Sequence, residues 1–225
     1  LDEQGNVIEG KSTLGGMAVG VPGTVAGLEA IHKKFGSLPW KDLVQPAIDL
    51  ARNGYRVTTK QEASFESKKD DFIQLNGENT FYAQDFKAGD LVRNTALANT
   101  LERIATKGSA GFYQGENAEN LIKRIQETGG IMTLEDLLAY QPVWRDPIRL
   151  QYKDLSIISM GPPSSGGIVL GQILKMIEPF ALTQNDFLSP SSIQPIVEAS
   201  RRAYADRSEY SLIFLRQDRG RSRFL

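Results

Sequence analysis

The stretch Pro147-Ile148-Arg149-Leu150-Gln151-Tyr152-Lys153-Asp154-Leu155-Ser156-Ile157-Ile158-Ser159-Met160-Gly161-Pro162-Pro163-Ser164-Ser165-Gly166-Gly167-Ile168 decides the fold class. Ile148, Leu150 and Tyr152 alternate with polar residues, which predicts a strand. Lys153-Asp154 reads as a turn, and Leu155 to Met160, with Ile157 and Ile158, reads as a second, buried strand. Gly161 to Gly167 breaks the strand and opens an apolar helix over 168–180, with Leu170, Ile173, Leu174 and Ile177 inward. These strands stand in a chain otherwise dominated by helical periodicity. The expectation is therefore a helix-dominated α+β protein with little βαβ alternation.

Upstream, Leu14 to Pro22 is glycine-rich and weakly strand-like. A helix is expected from Thr24, with Val25, Leu28, Ile31 and Phe35 on one face and Gly36 as its stop. His32 lies one step off that face and reads as a half-exposed helix histidine. A second helix spans Trp40 to Asn53, with Leu43, Ala47, Leu50 and Ala51 inward, and Pro46 is expected to kink or restart it. A polar helix follows over 60–74 and another amphipathic helix over 91–106. Phe112-Tyr113-Gln114-Gly115 reads as an aromatic turn. The helix over 116–128 turns Ala118, Leu121, Ile122 and Ile125 inward. Thr133 and Asp136 form a capping-box signature for a short helix to Tyr140. The last helix runs from Ser191 or Ser192 to about Tyr210.

Composition narrows the chemistry. The 225 residues carry 26 Lys plus Arg against 27 Asp plus Glu, which argues against a broad nucleic-acid surface. There is no cysteine, so thiol nucleophiles, disulfides and Cys-bound metals are excluded. The lone His32 excludes a His-rich metal site, and any Ser/His/Asp triad would have to use it. No apolar run approaches the ~18 residues of a membrane span, so direct membrane insertion by this segment is not expected. Residues 211–225 carry four Arg against one Asp and read as a divergent basic tail after a segment of 1–210. Such a tail would bind an acidic partner or is an out-of-frame end.

The loop Ser164-Ser165-Gly166-Gly167 is the strongest local site. Free amides and two hydroxyls converge there at a helix N-terminus, which suits an anion or carboxylate, or simply caps a strand-to-helix turn. No Lys follows the glycines, so it is not a P-loop, and it lacks the Gly-x-Ser-x-Gly of a nucleophile elbow. Asp206-Arg207 reads as an ion pair, buried or at the surface.

Several blocks occur in a telling order: Ala18-Val19-Gly20-Val21-Pro22-Gly23-Thr24-Val25-Ala26-Gly27-Leu28, Phe35-Gly36-Ser37-Leu38-Pro39-Trp40, and Gln45-Pro46-Ala47-Ile48-Asp49-Leu50-Ala51-Arg52-Asn53-Gly54-Tyr55. They continue with Phe112-Tyr113-Gln114-Gly115, Gly129-Gly130-Ile131-Met132-Thr133-Leu134-Glu135-Asp136-Leu137, Met160 to Gly167, and Ala203-Tyr204-Ala205-Asp206-Arg207. Over residues 12–210 the chain resembles the large subunit of the γ-glutamyltranspeptidase family. The resemblance implies part of an Ntn-hydrolase αββα four-layer fold lacking the small-subunit strands. It implies a self-cleaving precursor whose small subunit begins with a nucleophilic Thr and acts on the γ-glutamyl group of glutathione and related compounds. No cofactor and no metal are implied, and the compartment implied is periplasmic, secreted or extracellular-facing. The family's Arg-Glu-x-Ala-Pro element would precede Leu1 and its Thr-Thr-His would lie beyond Leu225. No catalytic residue therefore maps onto this chain, and it is expected to be inactive alone, with the small subunit of the same precursor as its partner. The alternatives are a non-catalytic binding or scaffold module, and a relative acting on other acyl or poly-γ-glutamyl substrates.

Overall fold

The computed structural model describes residues 4–180, 182–183 and 186–218, with side chains in the last helix through residue 209. The chain divides into two units, 1–142 and 143–225.

In the first unit, the glycine-rich start is not a strand. It holds a 3-10 turn, Gly16–Ala18, docked by its backbone. Gly16 N donates to Thr128 O at 3.1 Å, and a Cβ on Gly16 would lie 2.8 Å from the Gly130 Cα. The two glycine pairs therefore serve close backbone approach, which strand pairing would not require. There follow α1 (Thr24–Phe35), α2 (Trp40–Asn53), β1 (Tyr55–Arg56), α3 (Thr59–Asn76), β2 (Leu91–Val92), α4 (Thr95–Lys107), the one-turn α5 (Ala110–Tyr113), α6 (Gly115–Glu127) and α7 (Leu134–Ala139). The expected helix from Leu91 starts later. Leu91 and Val92 pair antiparallel with Arg56 and Tyr55, and Asn94 caps α4 by accepting from the Leu97 amide at 2.9 Å. Helix α2 runs unbroken through Pro46. Pro46 and Asp42, the residue whose carbonyl loses its partner, are both exposed, so water can satisfy that carbonyl. The Thr133–Asp136 capping box forms in both directions, at 3.3 and 2.8 Å.

The core of this unit gathers Ala26, Tyr113, Ala118, Ile122, Ile125, Met132 and Leu137, with Val21, Val25, Phe112, Leu121 and Tyr140 packed against it. The α6 face matches the expected one. The α1 and α2 faces do so only in part: of the residues expected inward, Val25 packs against the core and Ala51 is buried. Leu28, Ile31 and Phe35 are 53%, 50% and 67% exposed, and only Ala26 of α1 is buried. In α2, Leu43, Ala47 and Leu50 are exposed while Ile48 and Ala51 are buried. The small Ala26 allows α1 to approach the core closely. There the Tyr113 phenol accepts from the Ala26 amide at 3.3 Å and donates to the Pro22 carbonyl at 2.5 Å. Gly23 offers no capping side chain, so this distant tyrosine does the work of an N-cap. Burial pushes the phenol up from its usual range and keeps it protonated.

In the second unit, β3 (Ile148–Tyr152) and β4 (Leu155–Ser159) form an antiparallel hairpin, with Leu150 opposite Ile157. Helix α8 (Gly166–Ile177) follows, continues as a 3-10 turn over Glu178–Phe180, and packs against α9 (Pro190–Asp218). The second strand is not buried as expected. Ile158 is 59% exposed, because α8 covers only the face bearing Ile148, Leu150 and Ile157. Helix α9 extends past Tyr210, so the backbone of 211–218 is helical. The remainder of the basic tail, 219–225, lies outside the described residues. No described helix is long and apolar enough to cross a membrane.

Two outcomes are expected. Tyr113→Phe strands a partly buried carbonyl and a buried amide and should lower the unfolding free energy by about 2 kcal/mol in urea titration, whereas Tyr82→Phe, at a more exposed ring, should change it by less than ~0.5 kcal/mol. The open apolar faces of α1 and α2 should also make the isolated chain self-associate. Light scattering over a hundredfold concentration range should show growing mass, and replacing Leu28, Ile31 and Phe35 with Ser should reduce it. A concentration-independent monomer would refute this.

Candidate functional site

The sequence-chosen loop is a tight corner between β4 and α8. Gly161 and Gly167 are both buried. A Cβ on Gly161 would lie 3.1 Å from Asp146 O, and one on Gly167 would collide with Met160 O and lie 3.1 Å from the Ser159 side chain. The corner thus depends on backbone against backbone. Between these glycines the Pro162–Pro163 peptide is cis. Ser164 N donates to Gly161 O at 3.1 Å, and Ser164 Oγ accepts from the Gly166 amide at 3.3 Å. Ser165 stands at the helix cap, but its side chain caps no amide. Its hydroxyl accepts instead from Arg207 Nε at 2.8 Å. The first α8 backbone bond runs from Val169 N to Ser165 O at 2.9 Å.

Asp206 and Arg207 therefore do not behave as an ion pair with each other. Asp206 Oδ2 accepts from Gln172 Nε2 at 2.8 Å, and Arg207 turns to Ser165. The structure unites the two motifs that the sequence left separate. Their residues lie 42 positions apart, and no local periodicity signals the contact. Chemically, the corner offers helix amides, a hydroxyl and a guanidinium, all of which suit an anion. Among the described residues its serines meet no base, because a guanidinium is donor-only at physiological pH.

His32 lies in the other unit. Its Nε2 is 2.8 Å from Leu38 O and its ring meets Trp40 at a centroid distance of 5.2 Å. Trp40 Nε1 in turn donates to Ile104 O at 2.9 Å. The histidine is thus a half-buried structural residue that braces the α1–α2 connection.

A second polar cluster lies in the first unit and carried no local sequence signal. Ser109 donates to Glu29 through its hydroxyl at 2.6 Å and its amide at 3.2 Å, and Lys33 pairs with Glu29 at 3.0 Å. Burial alone would push the Glu29 carboxyl up. The Ser109 and Lys33 contacts outweigh it and hold the carboxyl below its usual range. These groups border a cavity of about 320 Å³, further lined by Tyr113, Tyr140 and Gln141. The carboxylate is fully engaged, so it latches α1 to the start of α5 and is not poised as a general base. Among the described residues no group of three or more His, Asp or Glu could hold a metal ion.

Residues 1–212 match the gamma-glutamyltranspeptidase family. The chain is 40% identical over 214 residues to a glutathione hydrolase proenzyme of Pseudomonas aeruginosa, covering 93% of this chain and 38% of that protein. It is likewise 40% identical to the Escherichia coli glutathione hydrolase proenzyme, covering 93% of this chain and 37% of that one. The crystal structure of Helicobacter pylori gamma-glutamyltranspeptidase superposes with a TM-score of 0.88 at 42% identity, over 93% of this chain and 61% of that chain. The chain therefore spans little more than a third of the length of these curated relatives. Its helix-dominated α+β architecture is part of the Ntn-hydrolase fold of those proteins, and the chain belongs to the gamma-glutamyltranspeptidase family.

Proposed function

We propose that this chain is a large-subunit segment of an enzyme that hydrolyses or transfers the γ-glutamyl group of glutathione and related amides. The observation that carries this reading is the continuous family match over residues 1–212, together with the close superposition on the Helicobacter pylori enzyme. In this reading the nucleophile is an N-terminal Thr of the small subunit. Its α-amine takes the hydroxyl proton as the oxygen attacks the γ-carbonyl. The amine of the substrate leaves, and water or an amino acid then takes the γ-glutamyl group from the enzyme. This chain contributes the helical shell, while the small subunit supplies the nucleophile and pairs with the open hairpin.

Two features of the chain support that division of labour. Among the described residues, the hydroxyls of the corner are bonded to the Gly166 amide and the Arg207 guanidinium, neither of which is a base. Among the described residues the β3–β4 hairpin also pairs with no further strand, so both of its edges are open, which suits a strand layer completed by another polypeptide.

The test has two arms. The pure chain should release p-nitroaniline from γ-glutamyl-p-nitroanilide no faster than buffer, with or without glycylglycine. A chimera in which residues 1–210 replace the matching segment of the Pseudomonas aeruginosa proenzyme should process itself and turn the substrate over. Turnover by the pure chain that disappears in Ser164→Ala/Ser165→Ala would place the chemistry in the corner and overturn this reading. So would a folded chimera that neither matures nor reacts.

A further inference from the structure

Two neighbouring side chains of α9 reach the first two turns of α8. Arg207 Nε donates to Ser165 Oγ, and Gln172 Nε2 donates to Asp206 Oδ2, each at 2.8 Å. Ser165 and Gln172 are seven residues apart, so the two bonds hold the same helix about two turns from each other. The buried Ala199 and Ala203 of α9 allow the close helix approach these bonds need.

The state of Ser165 shows what this arrangement replaces. A serine at a helix N-cap ordinarily adopts an extended backbone and accepts from an amide of the first turn. Ser165 has φ −80° and ψ −11°, and its hydroxyl caps nothing. The corner therefore takes its fixing point from another helix and only weak help, through Ser164 Oγ at 3.3 Å, from its own side chains.

We propose that Arg207 and Asp206 form a two-point clamp that positions the Pro162–Gly167 corner. Arg207 anchors the cap residue, and Asp206 anchors the helix two turns on. Two separated bonds restrain both the rotation of α8 about its axis and its slide along α9, which a single bond leaves free. Both bonds are charge-assisted, one through the guanidinium donor and the other through the carboxylate acceptor. The inference goes beyond the γ-glutamyl reading and does not depend on it.

Hydrogen exchange on the complete 225-residue chain, followed amide by amide, tests the clamp. Arg207→Ala should accelerate exchange at Val169 and Leu170 about tenfold, the scale of one hydrogen bond to a charged group. Exchange near Ile177, at the far end of α8, should stay unchanged. Arg207→Lys keeps a donor and should recover part of the protection. In a Ser165→Ala background, Arg207→Ala should add nothing, because the bond is already gone. Unchanged exchange at Val169 and Leu170 in Arg207→Ala would overturn the clamp. Uniform acceleration along α8 and α9, or effects of the two substitutions that simply add, would overturn it equally. If Arg207→Ala does not fold, Ser165→Ala and Arg207→Lys decide the same question, since Ser165→Ala removes only the acceptor hydroxyl.

Discussion

The first unit depends on one phenol. Tyr113 stands at the end of a single helical turn, yet its hydroxyl closes the start of α1, 87 residues earlier in the chain. It donates to Pro22 O and accepts from Ala26 N, so one buried group satisfies both a loop carbonyl and a first-turn amide. Buried main-chain groups must be paired somewhere, and Gly23 has no side chain to offer. The Tyr140 ring stacks on Tyr113 with centroids 5.9 Å apart, and its hydroxyl occupies the space a Cβ at Gly23 would take. The Ala18–Leu28, Phe112–Gly115 and Gly129–Leu137 blocks thus converge on one core, and their residues make sense together: glycine for approach, tyrosine for the bond, alanine for the fit.

The open faces carry a different lesson. Leu28, Ile31 and Phe35 recur at helical spacing, as do Leu43, Ala47 and Leu50, and both stripes are exposed. Periodicity marks a face suited to burial without saying what buries it. Within this chain, α1 and α2 bury narrower faces through Ala26, Ile48 and Ala51. The β3–β4 hairpin behaves alike, with one face under α8 and Ile158 on the other.

At the β4–α8 corner, sterics and hydrogen bonding divide the work. Gly167 permits a backbone approach that a side chain would block, and Gly161 one that a side chain would crowd. Close approach sets where the helix begins but leaves its rotation soft, and the α9 side chains supply that restraint. The glycine-serine run alone is ambiguous between an anion site and a capped turn. The tertiary contact shows that one of its two hydroxyls is already committed to Arg207.

The sequence by itself determined the local elements. Apolar spacing located α1, α2, α6 and the β3–β4 hairpin, and the Thr133–Asp136 capping box emerged as written. All of these follow from interactions within a few residues, where backbone geometry dictates spacing. The blocks from Ala18 to Arg207 also carried the family. Tertiary structure decided the rest: which face of α1 and α2 is buried, that Leu91-Val92 pairs with Tyr55-Arg56 and does not extend α4, that the Gly15-Gly16 stretch docks on Gly129-Gly130, and that Asp206 and Arg207 serve α8 instead of each other. Each of these depends on groups tens of residues apart meeting in space. A side chain's partner is selected there by approach distance and by the need to satisfy buried polar groups, and neither is encoded in the spacing of its sequence neighbours.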